Sequence, residues 1–219
     1  MEIDFISSHH KKTKRDYLGR VNKINKSEAA IKAKKWDFDY WDGSRDINYG
    51  GYHYDSRWES VAKKIVEYYK IKSGDKILDI GCGKGFLLYE IKKILPKISI
   101  SGFDISQYAI NNSPKDLKNF LKVGDAKKKF DYKNKKFDLA ISLGCIHNLK
   151  IFDIKNFLSE ITRVSNQQYI MTESYRNEKE LFNLQCWALT CETFLSPNEW
   201  VWIFKEFKYS GDYELIFFE

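Results

Sequence analysis

The sequence predicts an α/β fold, a doubly wound and mostly parallel sheet with helices on both faces. Three observations predict it. Short β-rich apolar runs alternate with stretches of helical periodicity, the order that builds strand, helix, strand units and a parallel sheet. Residues 137–143 are almost continuously apolar, as a strand covered on both faces has to be. A glycine-rich turn falls where the first strand hands over to a helix, the place at which open parallel sheets bind ligands.

Each element has a local reason. Trp58, Val61, Ala62, Ile65 and Tyr69 recur at helical spacing with charges between them, and Ser73-Gly74 ends that helix. Residues 76–80 form the first β-rich run, 86–95 return to helical periodicity until Pro96 stops it, and 98–103 read as the second strand. A helix over 106–112 ends before Pro114, and 119–123 supply the third strand. The fourth strand, 137–143, leads through an amphipathic helix over 153–164 to a fifth strand at 169–172. Helical periodicity returns over 178–189, whereas 190–195 carry no clear pattern. Ser196-Pro197-Asn198-Glu199 then announces a helix: the serine caps, the proline fits the first helical position, and the glutamate reaches back to the cap amide. Residues 213–218 form a closing strand, and no internal repeat or domain-separating linker interrupts the series.

With 219 residues, 43% of them hydrophobic and 16% aromatic, the chain suits one globular core and excludes disorder, a collagen repeat or an all-charged coiled coil. No apolar run approaches the ~20 residues of a membrane span, and the short acidic opening is unlike a signal peptide. A cytoplasmic protein with no membrane partner is expected. The four cysteines form no Cys-x-x-Cys pair and the four histidines are scattered, so neither a metal site nor a disulfide framework is expected. The net charge of +7 is local: residues 1–35 hold 10 Lys or Arg against 4 Asp or Glu, and the remainder holds 27 against 26. Such a stretch is ordinarily a solvated, partly frayed terminus, although it can also neutralise phosphates on nucleic acid or an anionic substrate. The expected division is a basic arm with an aromatic segment over 1–57, followed by the α/β domain over 58–219.

The glycine turn is Leu78-Asp79-Ile80-Gly81-Cys82-Gly83-Lys84-Gly85. Lacking Cβ atoms, its glycines let the backbone turn sharply and approach a ligand, while the following helix presents amides to negative charge. Asp104 ends the second strand 19 residues beyond Gly85, where an acid can accept bonds from both hydroxyls of a ribose. Asp125-Ala126 follows the third strand. The fourth strand runs out through Leu143-Gly144-Cys145-Ile146-His147 to the same sheet edge.

Taken in order, Leu-Asp-Ile-Gly-Cys-Gly-x-Gly, Gly-Phe-Asp-Ile-Ser, Gly-Asp-Ala and Phe-Asp-Leu-Ala-Ile-Ser resemble the class I methyltransferases that use S-adenosylmethionine, in particular the small-molecule type. The resemblance covers about residues 49–219 and implies a Rossmann-like domain. A nicotinamide dehydrogenase more often shows Gly-x-Gly-x-x-Gly, whereas Gly81, Gly83 and Gly85 follow Gly-x-Gly-x-Gly. The resemblance also implies roles. Gly81, Cys82 and Gly83 line the methionine half of the cofactor, with Asp79 near its amino group. Asp104 holds the ribose and Ile105 packs on the adenine, Asp125 and Ala126 meet the adenine edge, and Leu143 lies beside the sulfonium. The segment Asn48 to Asp55 is similar to a Tyr-containing cover over the cofactor carboxylate, with Tyr49 and Gly50 as the matching positions of a mobile lid.

Methyl transfer needs a nucleophile held in line and, for a hydroxyl or ammonium acceptor, a base. His147 is the histidine at the active edge. Glu173 and Tyr175, just past the fifth strand, face the acceptor side in this fold, and Arg176 is placed to hold a phosphate or carboxylate. Trp187, Phe194, Trp200 and Trp202 either wall the acceptor pocket or, as helical spacing more often means, belong to the core. The absence of Asn/Asp-Pro-Pro-Tyr after the fourth strand argues against amino methylation of adenine or glutamine, and Cys145 lacks the preceding proline of cytosine C5 enzymes. The expected activity is methyl transfer to an oxygen or nitrogen of a small polar metabolite. The alternative is an RNA methyltransferase, or a silent cofactor-binding module, docking nucleic acid through the basic arm. Few residues follow the last helix, enough for one long strand but hardly for the antiparallel pair that usually closes this sheet, so the C-terminal edge topology stays open. The sequence carries no signal for an oligomeric state.

Overall fold

The computed structural model describes residues 1–48 and 53–219. In chain order its elements are α1 (Ser7–His10), α2 (Tyr17–Lys23), α3 (Lys26–Ala33), α4 (Phe38–Trp41), α5 (Glu59–Tyr68), β1 (Lys76–Ile80), α6 (Phe86–Ile94), β2 (Ser99–Asp104), α7 (Gln107–Asn111), β3 (Leu121–Val123), β4 (Phe137–Leu143), α8 (Ile151–Val164), β5 (Ser165–Ser174), α9 (Glu178–Trp187), α10 (Pro197–Glu206) and β6 (Asp212–Phe217). Because successive strand residues point to opposite faces, Ile77 of β1 enters one core with Ile65, Leu88 and Ile91. Leu78 and Ile80 enter the other, with Phe157, Ile161 and Trp200. Helices α5 and α6 therefore cover one face of the sheet, and α8 and α10 the other.

The strand order is β3-β2-β1-β4-β5-β6, and every neighbouring pair is parallel. The chain winds outward from β1 to one edge and then from β4 to the other, so the order reverses between these two strands. That reversal opens a crevice beyond their carboxyl ends. The C-terminal edge is a single strand parallel to β5. Its outer side carries a further parallel bridge between Glu2 and Tyr213, with Ile3 N donating to Tyr213 O at 2.9 Å.

Some boundaries differ from the sequence expectation for physical reasons. The third strand begins at Leu121 because Lys115–Phe120 close into a 3₁₀ turn after Pro114. The fifth strand extends back to Ser165 through the polar Asn166 and Gln167, which still pair with β4. The Ser196 amide donates to Glu199 Oε2 at 2.6 Å, the expected cap of α10.

The basic N-terminal stretch is not a frayed arm. Phe5, Ile6, Ala29, Ala33, Tyr40 and Trp41 are all buried. Glu214, buried on β6, accepts the amides of Phe5 and Ile6 at 2.8 Å, that of Ser7 at 3.0 Å and the Tyr169 hydroxyl at 2.6 Å. It thereby satisfies amides that a short helix leaves unpaired at its start. Asp16, Asn25 and Asp37 cap α2, α3 and α4. The lysines conceal this packing in the sequence, since their charged heads reach water while the apolar residues between them turn inward.

Candidate active site

The carboxyl ends of the strands open into a cavity of about 560 Å³. Its first wall is the glycine turn. Gly81, Gly83 and Gly85 have φ of 75°, 54° and 78°, the left-handed region that favours glycine. A Cβ on Gly81 would lie 2.7 Å from Cys145 Cβ, and one on Gly83 would lie 2.7 Å from the ring of Trp41. The amides of Gly81 and Cys82 both donate to Phe103 O, at 2.8 and 3.1 Å, which locks the turn to the end of β2.

Two carboxyl groups stand beside this turn. Asp104 accepts the Gly83 amide at 2.8 Å on one oxygen and the Ser106 amide at 2.8 Å on the other. Burial raises its carboxyl while these two amides favour the charged form. Asp79 is 4% exposed and its carboxyl makes no hydrogen bond among the described residues, and burial together with the nearby Asp104 pushes that carboxyl up to about 8. A buried, unpartnered acid facing a cavity is costly unless a cation or donor meets it. The Cys145 thiol, pushed up to about 12 by burial, and the Cys82 thiol, raised for the same reason, are small protonated fillers between the strand ends.

Gly81, Cys82, Gly83, Ile105, Asp125, Ala126 and Leu143 all line this end of the cavity with Asp79 and Asp104. Ile105 is half open to solvent, Ala126 is buried, and Asp125 accepts the Lys127 amide at 3.0 Å. Tyr49 and Gly50, with the rest of the expected lid core through Tyr52, lie outside the described residues. The N-terminal segment closes over this end. Trp41 Nε1 donates to Ser106 Oγ at 2.8 Å, and Lys84 Nζ donates to Asp42 at 2.6 and 2.7 Å. Trp36, Tyr40 and Trp41 thus belong to the cavity wall. No local motif marks them, because their placement depends on contacts made across more than 40 residues of chain.

The far end of the cavity contains His147 and Glu173 but not Tyr175 or Arg176. His147 is buried, its Nε2 3.5 Å from Glu173 Oε2 and its Nδ1 3.5 Å from the Glu173 amide. Burial pushes the imidazole down to about 3 and the Glu173 carboxyl up to about 8, with Arg15 opposing the latter. Beyond Glu173 the strand ends and the chain turns into α9, which carries Tyr175 and Arg176 away. Arg176 bonds instead to Glu180 and to Glu219, the latter at 2.7 Å, and its guanidinium lies 4.2 Å over the Phe217 ring. Trp187 lines the cavity, whereas Trp200 is fully buried in the core, Trp202 is exposed on the surface and Phe194 packs with Leu184 and Trp187.

A glycine cradle, a carboxylate at the end of β2 and a cavity at the order reversal define a nucleoside-cofactor-binding α/β protein of the Rossmann-like class. The profile of the methyltransferase domain family matches residues 71–208. The chain belongs to that family, which makes it a methyltransferase domain with S-adenosylmethionine as its cofactor. Among the solved structures that share the fold are two with more than half of each chain aligned. One is the YcgJ protein from Bacillus subtilis, at 15% identity and TM-score 0.54 over 67% of this chain and 66% of that one. The other is the complex between the Haloferax volcanii Trm112 methyltransferase activator and a methyltransferase, at 18% identity and TM-score 0.53 over 71% and 77%. The ribosomal RNA small subunit methyltransferase C of Buchnera aphidicola subsp. Schizaphis graminum (strain Sg) is 38% identical over 98 residues, 42% of this chain and 29% of that protein. The chain therefore spans less than a third of the length of this curated relative.

Proposed function

We propose that the protein transfers a methyl group from S-adenosylmethionine to an oxygen or nitrogen of a small polar metabolite. The observation that carries this reading is that Glu173 and the buried His147 line the same cavity as Asp79 and Asp104. The residues suit the cofactor: Asp79, unpartnered and buried, is matched by an ammonium group, and Asp104, already oriented by two amides, keeps acceptor capacity for ribose hydroxyls. Gly81, Cys82 and Gly83 leave room beside the methionine half, Ile105 offers an apolar face to adenine, Asp125 and Ala126 its edge, and Leu143 the backbone near the reacting centre. When bound, S-adenosylmethionine supplies an electrophilic methyl carbon.

The chain's own part is to exclude water, align the acceptor and take its proton. Glu173 is the proposed base, because a carboxyl near 8 accepts a proton more readily than an ordinary one and is still ionised in a useful fraction near neutral pH. His147 is the positioning residue. With Nδ1 toward the Glu173 amide, the ring keeps its proton on Nε2, facing the carboxylate. Tyr175 has no proposed role in this arrangement.

Enclosure by the N-terminal segment favours a metabolite over a polymer. Lys23 pairs with Asp46 and Lys34 with Glu192, so several cations of the expected RNA-binding arm are engaged within the fold. The ribosomal RNA methyltransferase relative keeps an RNA acceptor as the second reading. Incubation with methyl-labelled cofactor and either a pool of small metabolites or ribosomal RNA separates the two. Label in the small-molecule fraction is expected, and label retained on RNA would reverse the ranking.

A further inference from the structure

Arg15 reaches the far end of the cavity from the loop between α1 and α2, and its surroundings fix it in place. Nη1 donates to the carbonyls of His10 and Thr13 at 3.3 and 3.2 Å, and Nη2 donates to His10 Nδ1 at 3.2 Å. That imidazole is in turn anchored by Nε2 donating to Phe217 O at 3.0 Å. The rings of Trp187 and Phe218 each lie 5.3 Å from the guanidinium carbon. Of the two N–H groups left over, that on Nε is buried with no hydrogen-bond partner among the described residues. The group is held and partly desolvated, with its Nε donor unmet.

Its charge is also unmatched. No carboxylate lies within 4 Å of Arg15 or of Arg45 among the described residues, although Lys34 and Arg57 on the same cavity wall are paired with Glu192 and Asp55. The facing acid is Glu173, beyond ion-pair distance, and the Tyr17 phenol beside Arg15 is kept protonated by burial. Burial lowers the affinity of Arg15 for its proton, Tyr17 and Glu173 oppose that, and Arg45, which lines the same cavity, adds to it. Two like charges directed at one cavity repel, and an anion between them relieves both terms at once.

We propose that Arg15 and Arg45 bind an oxyanion of the methyl acceptor, a carboxylate or a phosphate, with the acceptor's reacting atom directed toward Glu173. This rests on the proposed metabolite methyl transfer. It places the acceptor's anionic group on the N-terminal segment, at residues no local motif marks, and not at Arg176. A planar guanidinium lying against two rings and anchored by three hydrogen bonds is already oriented for such a group.

The test is calorimetric titration of the full chain with sodium acetate and with inorganic phosphate, each with and without saturating S-adenosylhomocysteine. Saturable binding of at least one anion is expected, weakened roughly tenfold or more by Arg15→Gln, the scale of a lost charge-assisted hydrogen bond, and several-fold by Arg45→Gln. Arg176→Gln should leave it unchanged. Tighter acetate binding identifies a carboxylate acceptor, and tighter phosphate binding a phosphorylated one. Equal anion affinity in wild type and both variants, or no saturable binding in wild type, overturns the proposal. Arg45 is exposed, so Arg45→Gln decides the matter if Arg15→Gln fails to fold. S-adenosylhomocysteine affinity on the same samples keeps the outcomes apart. Its loss in wild type would sink the methyl-transfer reading, whereas its retention without anion binding would sink the oxyanion site alone.

Discussion

At the proposed cofactor end of the cavity, Asp79, Gly81, Gly83 and Asp104 come from two adjacent strand ends and the turn between strand and helix. At the proposed acceptor end, Arg15, His147, Glu173 and Trp187 come from the N-terminal segment, the exit of β4, the end of β5 and the last turn of α9. The first region is built from short-range geometry, with left-handed glycines and amides bonding a carboxylate a strand away. The second exists only once the whole chain has folded. The difference teaches that the proposed cofactor cradle rests on a local motif, whereas the proposed acceptor site is assembled from distant parts of the chain, so the two should respond differently to mutation.

The largest effect should come from Gly83→Val. A branched side chain there meets Trp41 and must adopt φ near 54°, so S-adenosylhomocysteine affinity should fall about 100-fold. An unchanged affinity by calorimetry would mean that the turn does not contact the cofactor. At the other end, Glu173→Gln should lower turnover by ~100-fold while leaving cofactor affinity within a factor of about two, once an acceptor is in hand. Parallel loss of both would erase the distinction between the two regions. His147→Gln sharpens the same point through pH. The wild-type rate should rise toward pH 8 as Glu173 ionises, and that limb should move when its neighbour is replaced.

A smaller effect should appear in stability. Burial raises the folded-state carboxyls of Asp79 from 3.8 and of Glu173 from 4.5, each to about 8, so the folded protein holds protons that the unfolded chain has released. Stability from these groups is full below the unfolded values and is lost as pH rises through about 8. Thermal unfolding of the empty protein should therefore move to lower temperature between about pH 6.5 and 8, a window above the ordinary histidine range. Asp79→Asn should flatten that slope, and a slope unchanged in the variant would show that Asp79 is ionised throughout. The smallest effects belong to Tyr175→Phe and Arg176→Gln, which lie off the cavity and should leave turnover within about twofold, the ordinary range for surface changes. A large loss in either would return the acceptor site to the position expected from the sequence.

The contrast also explains what was legible in advance. The alternation of strands and helices, the β4 run and the Ser196 cap depend on neighbours within a few residues, and their signals survive in the sequence. The glycine turn and Asp104 are legible because each ends a strand of one strand-helix-strand unit, which the local pattern marks. Arg15, Trp41 and the buried N-terminal helices were hidden, because a lysine-rich stretch with sparse apolar residues looks the same whether those residues pack or not. Tyr175 and Arg176 misled in a specific way: they lie two and three residues beyond Glu173, but β5 ends at Ser174 and the turn into α9 carries them off the cavity.

Calorimetric titration of S-adenosylhomocysteine into the wild-type chain and Asp104→Ala tests the central claim most directly, that the strand-end cradle is a cofactor site. The account predicts one molecule bound per chain and a loss of ~2 kcal/mol or more in the variant, since the carboxylate's charge-assisted bonds are removed. No binding to the wild type, or equal binding to both proteins, would contradict it.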